Sequence, residues 1–219
     1  MGQLAGKATA EFVGTALLVC VVVGSGIMGA NLSSDLGVVL IINELSTIFA
    51  LALLIVVVGP ISGAHFNPVV SLMHLFTRTQ SLGESLTFIV AQIAGAIIGA
   101  IVANVMFDLP TIQFSSHYRE TLGMILGEVI ATAGLIALIG ILVHRKQVAL
   151  ISIAVPAWIG SAYFFTSSTS FANPAVTVGR LFTDTFAGIA PGSVLPFICA
   201  QLVGAAIGVA IIAALKRAE

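Results

Sequence analysis

Long apolar stretches separated by short polar breaks run along the whole chain. Six of them are long enough to cross a bilayer, whose hydrocarbon core needs about 20 residues of helix. The second is expected to stop at Gly59-Pro60, because Gly and Pro together usually mark a break. The pattern predicts an all-α membrane protein whose spans cover residues 5–30, 36–58, 84–106, 121–143, 148–165 and 191–215.

Two further apolar stretches are only about ten residues long, and each begins with Asn-Pro. Asparagine is a favoured N-cap, and proline suits the first position of a helix, where its missing N–H costs nothing. A helix of this length covers roughly 15 Å, about half of the hydrocarbon core. We therefore predict two half-helices that enter the membrane without crossing it, over residues 67–76 and 173–182.

The two halves of the chain share three features in the same order. Each half has a glutamate near the start of its first span, an Asn-Pro dipeptide, and an Ala-Gln pair followed by small residues at matching positions. With three spans in each half, the second repeat takes the opposite orientation, which places a transport site at the membrane midplane. We expect one channel domain built from an inverted repeat, residues 5–107 and 120–216. The matched polar residues are Glu11 and Glu128, Asn67 and Asn173, and Gln92 and Gln201.

Composition indicates a protein that lies almost wholly in the lipid bilayer. Hydrophobic residues make up 58% of the 219 positions and charged residues 8%, and the mean hydropathy is +1.15. Soluble domains carry about 25% charged residues. The net charge of -1 leaves no basic surface for nucleic acid, so no such partner is expected.

Lysine and arginine are concentrated on one side of the predicted spans. The positive-inside rule then predicts that both termini are cytoplasmic, in a multi-pass protein of the cell (inner) membrane. The cytoplasmic group is Lys7, Arg78, Arg145, Lys146, Lys216 and Arg217, and the opposite side carries Arg119 and Arg180.

These motifs resemble the aquaporin (major intrinsic protein) family. The resemblance rests on the run from Ser62 to Pro68, on the second Asn-Pro-Ala at Asn173, and on the two helix-start glutamates, and it covers nearly the whole chain. It implies a right-handed bundle of six helices with the two half-helices as a seventh pseudo-span. It further implies a passive channel for small neutral molecules, usually a homotetramer with one pore per protomer. No enzyme activity, cofactor or bound metal is expected, because the sequence shows neither a nucleophile with a base nor a cluster of metal ligands.

The half-helix tips are expected to form the pore midplane. Their dipoles place partial positive charge there, which opposes cations and hydronium. The asparagine amides can donate to passing solutes, and loop backbone at membrane depth must line a cavity, so its carbonyls supply acceptors. The expected midplane residues are Asn67, Pro68, Val69, Asn173, Pro174 and Ala175. The expected loop carbonyls are those of Gly63, Ala64, His65, Phe171 and Ala172.

Three glutamates leave alternatives open, and two histidines could be imagined as metal ligands. Glu11 and Glu128 either accept from loop N–H groups and brace the half-helices, as the resemblance suggests, or lie at the interface and reach water. Glu44 is either a vestibule charge or an exposed helix end. His65 and His74 are not expected to bind a metal, because no further ligand lies near them in sequence.

The outer selectivity filter departs from the resemblance. Many aquaporins carry arginine directly after the second Asn-Pro-Ala, and here that residue is Val176. Gap-free counting from the asparagines gives the other filter positions as Thr47, Ser161 and Ser170, none of them bulky or charged. Arg180, one turn further on, either reaches the outer mouth or pairs with Asp184.

A valine in place of a guanidinium predicts a pore that is wider and less polar than that of a strict water channel. The expected solutes are water and larger uncharged molecules such as glycerol, urea or undissociated metalloid acids, and the valine substitution resembles bacterial arsenite channels. A strict water channel is the first alternative. A secondary active transporter is the second, and it would need intramembrane carboxylates or sodium sites that change state.

Overall fold

The computed structural model describes residues 2–217, and within them it contains eight α-helices and no strand. Six of the helices are long and apolar enough to cross a membrane, which confirms the predicted fold class. The elements are α1 Gly2–Leu32, α2 Leu36–Ser62, α3 Pro68–Phe76, α4 Leu82–Met106, α5 Leu122–His144, α6 Ile151–Phe165, α7 Pro174–Arg180 and α8 Pro191–Lys216, with a 3-10 turn at Val148–Leu150 before α6.

The predicted end of the second span is wrong. Helix α2 continues through Gly59-Pro60 and ends at Ser62, where Gly63 takes a left-handed φ of 98° and its N–H donates to Gly59 O at 2.9 Å. A proline removes one backbone donor, whereas a glycine just past the last turn closes the helix. Gly63, and not Pro60, therefore sets this boundary.

The two half-helices begin where the Asn-Pro dipeptides predict. The side chain of Asn67 accepts from Val69 N at 3.1 Å, and that of Asn173 accepts from Ala175 N at 2.9 Å and from Val176 N at 3.2 Å. Helix α7 ends at Arg180, two residues before the predicted end. Both helices are too short to cross a bilayer, so the chain turns back after each of them.

Long helices pack in matching pairs. Helix α1 lies along α4, and α5 lies along α8. A Cβ atom at Gly95 or Gly99 of α4 would overlap backbone carbonyls of α1, and one at Gly204 or Gly208 of α8 would crowd the backbone of α5. Small residues here let the helix backbones touch, which is how helices associate where lipid provides no hydrophobic driving force.

Candidate functional site

A cavity of about 310 Å³ runs between the two halves of the molecule. Most of its wall is apolar, from α1, α2, α5 and α6, and both Asn-Pro loops contribute the rest. We call the end at His65 and His74 the histidine end and the end at Tyr163, Ser170 and Arg180 the arginine end. The polar and charged lining residues are Thr47, His65, Asn67, His74, Tyr163, Ser170, Asn173 and Arg180.

The two half-helices meet through their asparagines. Asn67 Nδ2 donates to Ala172 O at 2.8 Å, and Asn173 Nδ2 donates to Phe66 O at 2.8 Å, so each amide bonds the loop of the other half. An asparagine NH₂ group carries two hydrogens. One hydrogen is used in this cross-link, and the second is left for whatever occupies the cavity.

The residues directly after the asparagines do not line the cavity. The wall instead contains Val70 and Val176, each three residues after its asparagine and therefore nearly one helical turn on. The remaining predicted midplane residues, Pro68, Val69, Pro174 and Ala175, are buried in the first turns of the half-helices and lie behind the cavity wall.

The loop before each half-helix contains several residues in the left-handed backbone conformation. In the first loop Ala64 has φ 51° and Phe66 φ 49°, and in the second Ser170 has φ 50° and Ala172 φ 47°. Such conformations cost a non-glycine residue roughly 1–2 kcal/mol, so other contacts must hold them.

The expected loop residues all line the cavity, and Phe66, which the sequence interpretation omitted, joins them. Within residues 2–217 no hydrogen bond is made to the carbonyls of Gly63, Ala64, His65 and Phe171. The Ala172 carbonyl accepts from Asn67. The lining loop residues are Gly63, Ala64, His65, Phe66, Phe171 and Ala172.

Glu11 holds the first loop from behind. Its Oε1 accepts from Ser62 Oγ at 2.6 Å and from His65 N at 2.9 Å, and its Oε2 accepts from Phe66 N at 2.7 Å. Gln92 Nε2 donates to the same Oε2 at 2.9 Å. The side chain is fully buried, so it does not reach the membrane interface.

Glu128 makes the matching contacts in the second half. Its carboxylate accepts from Phe171 N at 2.9 Å, from Ala172 N at 2.8 Å and from Gln201 Nε2 at 2.7 Å. It is also fully buried. Carboxylates that accept several hydrogen bonds from backbone N–H groups can fix the strained loop conformations, because those bonds offset the backbone cost.

The glutamines that support this arrangement were given no role in the sequence interpretation. Gln92 Nε2 also donates to Ser71 Oγ at 3.0 Å, and Gln201 Nε2 donates to Thr177 Oγ1 at 2.9 Å. Each glutamine thus links a bracing glutamate to its half-helix. The signal was present in the sequence, because both glutamines occupy equivalent places in the repeats.

Each end of the cavity carries a stacked pair at equivalent positions, two residues before and seven residues after the asparagine. At the histidine end the rings of His65 and His74 stack with centroids 4.5 Å apart and planes 10° apart. At the arginine end the Arg180 guanidinium lies 3.4 Å from the centroid of the Phe171 ring.

Three of the four predicted filter residues line the cavity, namely Thr47, Ser170 and Val176, and Ser161 does not. Ser161 is exposed, and its Oγ donates to Ala157 O at 2.9 Å within α6. Its neighbours Ile159 and Tyr163 line the cavity instead. Two residues along a helix correspond to a rotation of about 200°, so Ser161 points to the opposite face.

Arg180 does not pair with Asp184. Its side chain is 2% exposed and lines the cavity, and its Nε donates to Ala187 O. Asp184 accepts from Ser116 N at 2.7 Å and from Ser116 Oγ at 2.9 Å, and these bonds lower the pKa of its carboxyl group. The salt-bridge alternative is therefore wrong, and Arg180 belongs to the cavity wall.

Glu44 lies outside the cavity wall. It is largely buried on α2, and a Cβ atom at Gly160 of α6 would overlap its carboxylate. Its burial shows that it is not an exposed helix end.

Comparison with known proteins gives one consistent family. The family model described as Major intrinsic protein matches residues 2–171. Aquaglyceroporin AqpS of Rhizobium meliloti (strain 1021) is 43% identical over 211 residues, 95% of this chain and 89% of that protein. Aquaporin-4 of Mus musculus is 37% identical over 92 residues, 42% of this chain and 28% of that protein. The X-ray structure of the aquaglyceroporin from Plasmodium falciparum has the same fold, with a TM-score of 0.71 and 20% identity, and the match covers 97% of this chain and 95% of that one. This chain therefore belongs to the major intrinsic protein family.

Proposed function

We propose that this protein is a passive membrane channel for water and for larger uncharged solutes such as glycerol or undissociated metalloid acids, and that it excludes ions and protons. The observation that carries this proposal is the cavity between the two half-helices, with an amide N–H from each asparagine left for its contents. AqpS, which is 43% identical over 95% of this chain, is called an aquaglyceroporin.

Exclusion of protons follows from the direction of the donors at the midplane. Two half-helices point their N-termini at the same place, which makes it unfavourable for cations. A water molecule that accepts from Asn67 and Asn173 cannot pass a proton along at that point, because its own hydrogens then face the two exits. The loop carbonyls accept those hydrogens and keep solutes in single file.

A secondary active transporter is disfavoured by the state of the buried carboxylates. Glu11 and Glu128 are the carboxylates nearest to the pore loops, and both are fully engaged with backbone N–H groups and glutamine amides. A coupling carboxylate must instead change its protonation or its partners during transport. These glutamates therefore act as structural braces.

Small side chains at the arginine end support the passage of solutes larger than water. Thr47, Ser170 and Val176 are small and line the wall without a guanidinium at position 176. We also propose that the histidine end faces the cytoplasm, that both termini lie there, and that the protein sits in the cell membrane as a homotetramer. The excess of Lys and Arg on the side of the termini supports this orientation.

Reconstitution in liposomes tests the proposal. Stopped-flow light scattering should show that glycerol and arsenite enter faster than in protein-free vesicles, as well as water. Val176→Arg should reduce solute flux more than water flux, because it adds a bulky charged donor to the wall, while Val176→Leu should change the ratio less. Water flux with no larger solute would favour the strict water channel, and saturable proton-coupled uptake would favour a transporter.

A further inference from the structure

The arginine end contains a buried guanidinium that has no acidic partner. Within residues 2–217 the ion pairs are Lys7 with Glu84 and His117 with Asp184, and neither involves Arg180. A buried charge without a partner is costly unless something else compensates for it. Because Arg180 lines the cavity, a solute that enters there can accept hydrogen bonds from its terminal NH groups.

Arg180 is nevertheless fixed in place. Its Nε donates to Ala187 O, and its guanidinium stacks on Phe171. Arg119 lies over the same ring, 5.1 Å from the centroid, and is itself held by bonds to Gly188 O at 3.0 Å and Phe186 O at 3.3 Å. The backbone of Phe171 is in turn bound by Glu128. The guanidinium is therefore a rigid part of the wall and not a mobile side chain.

The hydroxyl groups beside Arg180 are also poorly satisfied. Ser170 Oγ is buried and has no hydrogen-bond partner within residues 2–217. The hydroxyl of Tyr163 reaches Thr47 Oγ1 only at 3.5 Å, which is long for an O–H donor. Leaving such groups unpaired costs free energy, so a solute that carries several hydroxyls would be stabilised there.

We propose that Arg180 is the fixed cation of the arginine end and replaces, from one helical turn further along, the arginine missing at Val176. It repels cations, including hydronium, before they reach the midplane. Together with Ser170 and Tyr163 it donates to uncharged solutes with several oxygens. This inference rests on the proposed channel function and adds a specificity residue to it.

The charges around Arg180 support this role. Glu128 is the nearest carboxylate behind the loop, and its oxygens are taken by N–H groups, so it does not pair with the guanidinium. Asp184 is held by Ser116. Arg119 adds a second positive charge next to Phe171. A cation that approaches from this end therefore meets net positive charge. Water and salt screen a buried charge poorly, so this repulsion should lower the rate at which cations enter the cavity.

Proton leak in liposomes that contain a pH-sensitive dye tests this inference. Arg180→Leu should raise the proton leak about tenfold or more while water flux persists. Arg180→Lys should stay tight, because it keeps the charge. Arg217→Leu, at an exposed position near the end of α8, is the matched control and should also stay tight.

Relocation of the arginine gives the sharpest comparison. The double variant Val176→Arg with Arg180→Leu should restore proton exclusion and reduce glycerol flux, because it returns the charge and adds a bulky side chain to the cavity wall at position 176. If Arg180→Leu yields no water-conducting protein, Arg180→Gln carries the same test, since it removes the charge and keeps donors. A folded neutral variant that stays proton-tight overturns the inference. Absence of any solute or water flux in the unaltered protein would instead refute the proposed function.

Discussion

The two halves of the molecule share one scaffold of hydrogen bonds but place different side chains at the two ends of the cavity. A buried glutamate, an N-capping asparagine and a bridging glutamine recur in both halves with the same hydrogen bonds. At the stacked pair the halves diverge, because the first half has His65 on His74 and the second has Phe171 under Arg180.

This difference distinguishes the residues that shape the pore from the residues that set its charge. The braces and caps fix the backbone and are the same in both halves. The stacked pairs lie at the two ends, where one pair consists of two imidazoles and the other contains a guanidinium, which keeps its charge. The midplane is therefore symmetric in structure, while the two entrances are chemically distinct.

Removal of a brace should give the largest effect of all, and it should be equal in the two halves. Glu11→Gln and Glu128→Gln each replace one carboxylate oxygen by an NH₂ group, which leaves one loop N–H group without an acceptor and costs about 1–3 kcal/mol. We expect both variants to unfold at markedly lower temperature in detergent and to lose water flux. Thermal unfolding followed by circular dichroism measures the first effect. A large loss for one glutamate and none for the other would contradict the equivalence.

Loss of an asparagine should have an intermediate effect. Asn67→Ala and Asn173→Ala each remove an N-cap, worth about 1 kcal/mol, and one bond to the opposite loop, worth a similar amount. We expect each single variant to lose about 2 kcal/mol of stability in a denaturant titration. The double variant should lose less than the sum if the two cross-links act as a unit, and strict additivity would show that the halves are energetically independent.

The smallest effect should distinguish Thr47 from Ser161, which gap-free counting from the asparagines places together in the filter. Thr47→Val changes a side chain in the cavity wall and should alter the ratio of glycerol to water flux about twofold. Ser161→Val changes a side chain on the opposite face of α6 and should leave that ratio unchanged. Stopped-flow measurements on matched protein densities decide this, and equal shifts in both variants would restore Ser161 to the filter.

Much of the fold could be predicted because its signals are local. Apolar length located the six spans, and Asn-Pro located both half-helices, since a cap and the residue after it act within one turn. The glutamates were also identified, because a charge inside an apolar span needs a partner. Their partners among the loop N–H groups were suggested by the family resemblance.

The errors arose where rotation or tertiary contact decides the outcome. Ser161 was wrongly placed in the filter because gap-free counting from the asparagines gives a position along the chain but not the face of the helix on which the residue lies. The partner of Asp184 depends on how the connector that contains Ser116 folds across the molecule, which the sequence does not display. The stacking of His65 on His74 likewise requires a loop residue to fold back onto a helical residue nine positions later in the chain.

The crossed amide bonds have a consequence for biosynthesis. When the ribosome has made only the first half, the carbonyl of Phe66 and the amide of Asn67 have no counterparts, because these belong to Asn173 and Ala172. Maturation of the permeation route is thus a late event that awaits residues near the end of translation, and a prematurely terminated chain lacks one wall of the conduit.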